Sequence, residues 1–238
     1  MLIRSKFDKQ MALLNEKLIE MGRAVEQSIS MATEALITKN SELAQETIEA
    51  EAEVNEQEKD IENLCMKLLL LQNPMAGDLR MISAALKMIT DMERIGDQAT
   101  DIAEICLFLL EEDYIMQLSA IKEMAEAAVY MVHRSIDAFV RSDRATADAV
   151  IRYDDKIDEL FAETKDKLYE LMIANAENAR QALDLLMIAK YYERIGDHAA
   201  NIAEWVIFSI TGEQKKELHK RIRREQKERK AAQMNGTC

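Results

Sequence analysis

The sequence predicts an all-α protein made of two tandem three-helix bundles that arose by internal duplication. Three observations carry this. First, the 238 residues include one proline (Pro74) and only six glycines, against an abundance of Ala, Leu, Glu, Lys, Met and Ile, most of which are good helix formers. Second, residues 93–104 read ERIGDQATDIAE and residues 193–204 read ERIGDHAANIAE, with nine of twelve positions identical one hundred residues apart. Third, helix breaks are sparse and fall at comparable places in both halves, while β-branched runs and hairpin turn signals are missing from the body of the chain.

The first helix runs to the break Thr38-Lys39-Asn40-Ser41. The second ends before Asn73-Pro74, where Asn is expected as the N-cap of the third helix and Pro as its first residue. Glu111-Glu112-Asp113 closes the first half. In the second half, Arg141-Ser142-Asp143 corresponds to the first break and Ala174-Asn175 to the second, and Gly212 ends the last strong pattern. Each helix should span roughly 28–35 residues, about 45 Å, a length suited to antiparallel bundles with short links. Val25 to Leu36 resembles Ala128 to Phe139, Glu58–Glu62 resembles Asp154–Asp158, and Arg80 and Arg180 keep the hundred-residue offset. The expected units are residues 1–112 and 113–212, followed by a basic tail, 213–238. Heptad-like Leu, Ile and Met spacing reads as core packing, with methionine filling gaps in narrow bundles.

Charge is unevenly spread. Residues 213–230 hold nine Lys/Arg and four Glu, a net of +5, so the rest of a chain of net charge −13 carries −18. An acidic body argues against nucleic-acid binding, because phosphate repels it. The tail reads as a solvated helix end or as a contact for anionic lipid or an acidic partner. Cys65, Cys106 and Cys238 form no CxxC pair, which points to reduced thiols in a cytoplasmic protein, the first two in the core. Met1 to Lys6 turns polar at once, unlike a secretory signal, and no apolar run approaches about 18 residues.

The repeated motif aligns its acids. On a wheel advancing 100° per residue from Glu93, Asp97 falls at about 40°, Asp101 at about 80° and Glu104 at about 20°, with Ile95, Ala99 and Ile102 nearly opposite. The second copy places Glu193, Asp197, Asn201 and Glu204 on the same ridge. A solvated face accounts for such a ridge. So does a cation site: carboxylates at i and i+4 repel one another, and a cation converts that repulsion to attraction. Oxygen ligands of this kind suit magnesium, manganese and iron and accept zinc. Gly96 and Gly196 on the flank imply close approach of another backbone or a ligand. His198 points off the ridge and reads as an interhelical hydrogen bonder. His133 and His219 have no partner at ligand spacing. Glu58, Glu62, Asp154, Asp158, Glu34 and Asp137 are further acids that helix packing can bring to the ridge.

With ERIGDxAxxIAE closing two successive three-helix units, the chain resembles the PhoU family of phosphate-uptake regulators. Phe7 to Met21-Gly22 and Asp78-Leu79-Arg80 are also similar to that family, and the resemblance spans residues 3–212. It implies tandem three-helix bundles bearing metal ions on acidic pairs. Carried onto this chain, the metal residues are Glu93 with Asp97 and Glu193 with Asp197. Asp101 is a third ligand in the first copy, and Asn201 at the equivalent place offers only a neutral amide oxygen. The resemblance implies a negative regulator of the phosphate-starvation response, without catalytic activity. Its implied partners are a phosphate ABC transporter ATPase and a sensor histidine kinase, and it implies a cytoplasmic homodimer that meets the membrane through partners or tail. The residues agree in offering no P-loop, nucleophile elbow or HExxH. Two alternatives remain beside it. A di-iron carboxylate protein would use Glu-x-x-His on its metal helices, and no Glu stands three residues before a His here. A metal-free helical scaffold needs only the bundles.

Overall fold

Capping chemistry sets the helix boundaries of the protein, seen in a computed structural model that describes residues 2–71, 74–111, 113–213, 215–218 and 220–222. Six long helices appear in chain order: α1 (Leu2–Thr38), α2 (Ser41–Leu71), α3 (Ala76–Phe108), α4 (Ser119–Arg141), α5 (Arg144–Ala174) and α6 (Ala179–Thr211). A single 3-10 turn, Ala176–Asn178, precedes α6. No strand occurs among the described residues.

The α1–α2 break turns through Lys39 at φ 54°, and the Asn40 side chain accepts the Leu43 amide at 3.1 Å. The equivalent α4–α5 break turns through Ser142 at φ 51°. There the Asp143 carboxylate accepts the amides of Ala145 and Thr146 at 2.9 and 3.2 Å. These bonds and the Thr146 hydroxyl hold the Asp143 carboxyl below its ordinary range. Asn175 caps the 3-10 turn by accepting the Glu177 amide. Gly212 ends α6 at φ 76° and returns its amide to Phe208 O at 2.8 Å, where its lack of a Cβ removes the steric cost of the left-handed region.

Two boundaries differ from the sequence reading. Asn73 lies outside the described residues, and Pro74 precedes α3 rather than opening it. The helix begins at Ala76, and Asp78 in its first turn accepts the Met75 amide at 3.1 Å, so an acid inside the helix supplies the capping bond. The helices are also less uniform than expected: α1 has 37 residues and α4 only 23. The stretch expected to start α4 instead forms a connector. In it the Tyr114 hydroxyl donates to Leu36 O, and Ile115 donates its amide to Gln181 Oε1 at 2.6 Å. The Gln181 amide returns a bond to Asp113 O at 3.0 Å. Glu112 lies outside the described residues.

Each half packs its three helices together, and α3 lies along α6 while α1 meets α4. Early in α3, Asp91 meets His198; further on, Asp101 meets Tyr191, which comes earlier in α6, so the two helices run antiparallel. Glu26 opposite His133 shows α1 meeting α4. The halves are therefore related by an approximate dyad across the helices. Helices α1, α3, α4 and α6 form the middle of the molecule; α2 touches only the first half and α5 only the second. One continuous core results. At its centre Tyr192 is wholly buried, with its hydroxyl 2.7 Å from that of Thr33. Cys65 and Cys106 are buried free thiols, as expected, and burial pushes both up to about 12.

Candidate functional site

The repeated motif places Ile95, Ala99 and Ile102 of α3, and Ile195, Ala199 and Ile202 of α6, wholly in the core. The acids are thereby turned toward the outer helices. Glu93 and Asp97 lie against α2, and Glu193 and Asp197 against α5. The ridge does not stand fully in water: side-chain exposure is 20% for Glu93, 27% for Asp97 and 15% for Glu193.

Glycine permits this approach. A Cβ on Gly96 would stand 3.2 Å from Val54 Cγ1 of α2; one on Gly196 would stand 2.9 Å from Ile157 Cδ1 and 3.1 Å from Asp154 Oδ1 of α5. The predicted close approach is thus to a neighbouring helix. The two contacts also fix the register. Helices α2 and α5 are both 31 residues long, and Val54 and Ile157 occupy the same place in them. Glu51 is therefore the counterpart of Asp154, and Asn55 that of Asp158. The match of Glu58–Glu62 to Asp154–Asp158 read from the sequence is shifted by one heptad, because successive heptads of an acidic amphipathic helix resemble one another.

In the first half, Glu93, Asp97, Glu58, Glu62 and Glu51 lie in one electrostatic neighbourhood. Burial and then Asp97 push the Glu93 carboxyl up, against Arg94; burial and then Glu62 push Glu58 up. Arg94 lies 3.3 Å from Glu93 and 3.2 Å from Asp97, so it pairs within its own helix. Glu93 Oε2 is buried and accepts no hydrogen bond, but it is ion-paired with Arg94 Nε at 3.3 Å.

The second half is denser. Burial, then Asp197, Asp158, Asp155 and Glu193, push Asp154 up to about 7. Burial followed by Glu193 raises both Asp158 and Asp197, opposed by Lys190. Lys190 pairs with Glu193. Glu51, Asp155 and Lys190 were not singled out from the sequence. The equal spans between paired breaks would have aligned Glu51 with Asp154.

Asp101 and Asn201 are placed elsewhere, at the α3–α6 seam. Burial and then Glu104 raise Asp101, while the Tyr191 hydroxyl donates to it and Arg194 lies nearby. Asn201 donates to Asp91 Oδ1 at 3.2 Å and accepts from Lys215. His198 meets the same Asp91 oxygen at 2.9 Å, an interhelical hydrogen bond as its position on the wheel suggested. Glu104 is exposed, but Glu204 is only 7% exposed, with Lys215 Nζ at 2.7 Å. Glu204 thus does not join an open ridge. His133 meets Glu26 at 3.2 Å, Asp137 pairs with Arg141 at 3.4 Å, and His219 lies outside the described residues. Glu34 lines an apolar groove of about 480 Å³ between α1 and α4.

The donor set at each α2–α3 or α5–α6 groove is all carboxylate and comes from two helices. It is crowded by mutual repulsion and, in the first copy, a buried Glu93 oxygen is met by Arg94 as an ion pair without a hydrogen bond. These properties fit a hard cation. No three His, Cys, Asp or Glu side chains among the described residues converge on one ligating point. No helix among the described residues is long and apolar enough to cross a membrane.

The PhoU domain signature matches this chain twice, over residues 18–106 and 121–206. The phosphate-specific transport system accessory protein PhoU homolog of Aquifex aeolicus is 37% identical over 214 residues, covering 90% of this chain and 97% of its own length. The crystal structure of PhoU from Pseudomonas aeruginosa superposes with a TM-score of 0.83 at 32% identity, covering 87% of this chain and all of that one. The phosphate transport system regulatory protein PhoU from Streptococcus pneumoniae gives 0.80 at 27% identity, covering 87% and 98%.

Proposed function

The chain belongs to the PhoU family, and from that premise we propose that it is a negative regulator of phosphate transport and of the phosphate-starvation response. In this reading it is a non-enzymatic adaptor at the inner face of the membrane, between a phosphate ABC transporter ATPase and a sensor histidine kinase. The supporting observation is the duplicated acidic groove. Two helix pairs hold partly desolvated carboxylates where a partner's positive groups or a cation can reach them.

Glu93 and Asp97 with Glu58 and Glu62, and Glu193 and Asp197 with Asp154 and Asp158, are the residues that would hold iron, zinc, manganese or magnesium. A bound cation supplies neutralisation of their mutual repulsion. The residues themselves orient the face: Gly96 and Gly196 set the helix spacing, and Arg94 and Lys190 hold the carboxylates in place. Asp101 and Asn201 steady the seam between the halves. The pairing of Arg94 and Lys190 with the acids supports a second reading, in which the grooves bind basic side chains of a partner without metal.

The test is deletion of the gene in its own host, with a phosphate-starvation reporter read in phosphate-replete medium. Loss of the protein should switch the reporter on, and the wild-type gene should silence it again. Glu93→Gln/Asp97→Asn and Glu193→Gln/Asp197→Asn should fail to silence it and should lose co-purification with the transporter ATPase. A reporter that stays silent without the gene overturns the regulatory reading. Elemental analysis of chelator-free protein and of the same variants separates the metal version from the metal-free one.

A further inference from the structure

Residues 213, 215–218 and 220–222 lie beyond both matched repeats, yet they are docked on the second one. Residues 215–218 and 220–222 are helical. On a helical wheel Lys215, Leu218, Arg221 and Ile222 fall within an arc of about 120°, and this is the face turned to the body. Leu218 is wholly buried, and Ile222 packs against the core. Lys215 reaches Glu204 at 2.7 Å and also Asn201. Arg221 reaches Asp148 of α5 at 3.1 Å and Glu213 at 3.4 Å. Lys216 and Lys220 point outward and are exposed.

We propose that the helical residues 215–218 and 220–222 form a two-position clasp whose apolar edge either closes on the second repeat or enters an anionic lipid surface, but not both. The exclusion follows from the contacts. Lys216 and Lys220 face solvent and can meet lipid phosphates in either position, but Lys215 is held by Glu204 and Arg221 by Asp148. The apolar residues that would enter the bilayer boundary, Leu218 and Ile222, are the ones buried in the body. A basic helix with an apolar edge is the chemistry that lies on anionic membranes. The chain outside residues 213–230 carries −18 and is repelled from such a surface, so seating the apolar edge in lipid requires the helix to swing away from its acidic seat. Release uncovers Glu204, Asn201 and Asp148 at the ends of α6 and α5, so membrane contact and the state of the second repeat are linked.

The experiment uses the full chain and vesicles of phosphatidylcholine with or without about 30% phosphatidylglycerol, at fixed ionic strength. Asp148→Asn/Glu204→Gln weakens the seat without touching the segment and should bind anionic vesicles about five-fold tighter than wild type, as loss of competing ion pairs implies. Leu218→Asp opens the clasp but removes its apolar edge and should lose vesicle binding. Hydrogen exchange should speed up in the first turns of α5 and the last turns of α6 when anionic vesicles are added to wild type. The proposal is overturned if the double variant binds no tighter than wild type. It is equally overturned if bound wild-type protein keeps those turns protected, or if neutral vesicles bind as well as anionic ones. Unchanged far-UV circular dichroism of both variants confirms that folding is not what is being read.

Discussion

Asp154 gives the sharpest test of the acidic groove. Its carboxyl is pushed from an ordinary 3.8 up to about 7 by burial and by four neighbouring carboxylates. In chelator-treated protein, raising the pH through 3.8 ionises Asp154 in the unfolded chain, while the folded chain keeps the proton until about 7. Stability is therefore greatest at the acid end of this window, falls across it, and levels off above it. A carboxyl sealed from water would account for about 4 kcal/mol over that interval. Asp154 is only half-buried, and solvent screening reduces the figure to about 2 kcal/mol. Asparagine does not titrate. The stability of Asp154→Asn relative to wild type should thus rise by about 2 kcal/mol between pH 4 and pH 8. Urea unfolding at several pH values, followed by circular dichroism, measures this as a growing separation of midpoints at constant slope. Parallel curves for the two proteins across the window would refute the crowding of carboxylates at α5–α6.

Other outcomes follow from packing. Gly196→Ala gains about 1 kcal/mol of helix propensity but drives a Cβ into Ile157 and Asp154, at an overpacking cost of about 1–3 kcal/mol. It should be destabilised in urea, whereas Gly96→Ala, facing only the Val54 methyl, should be near neutral; the reverse order would contradict the helix spacing. Tyr192→Phe removes the bond to Thr33, whose own hydroxyl donates to Ile29 O, and should cost about 1 kcal/mol in the same assay. Cys65 and Cys106, buried and pushed up to about 12, should resist a thiol reagent at pH 8 until denaturant is added. Rapid labelling of both in native protein would show the core to be open there.

The helix breaks were legible where a side chain performs the cap, at Asn40, Asp143 and Asn175, and where a left-handed backbone calls for glycine, at Gly212. Pro74 misled because Asp78, inside the helix, satisfies the Met75 amide, a choice that local preference does not distinguish. The burial of Ile95 and Ile195 and the outward turn of Glu93 and Glu193 followed from the helical period alone. The period does not say which neighbour a residue meets. Asp101 and Asn201 lie within one turn of Asp97 and Asp197, yet they face the opposite half, because the antiparallel α3–α6 contact intervenes there. The helical period puts Glu204 on the ridge, but a segment from beyond the repeats covers it. The heptad slip between α2 and α5 has a similar origin, since local likeness cannot separate registers that only the contacts at Gly96 and Gly196 distinguish.

The outer helices α2 and α5 each touch a single half of the molecule. The acidic sockets they complete are therefore separate, one in each half, with the shared core between them. A molecule seated in one socket would leave the carboxylates of the other untouched. A second arrival anchored to the same membrane or complex then binds at the high local concentration set by the first. The duplication would thus supply valency: if the proposed sockets bind, one chain would offer two of them, each to be loaded and emptied by itself.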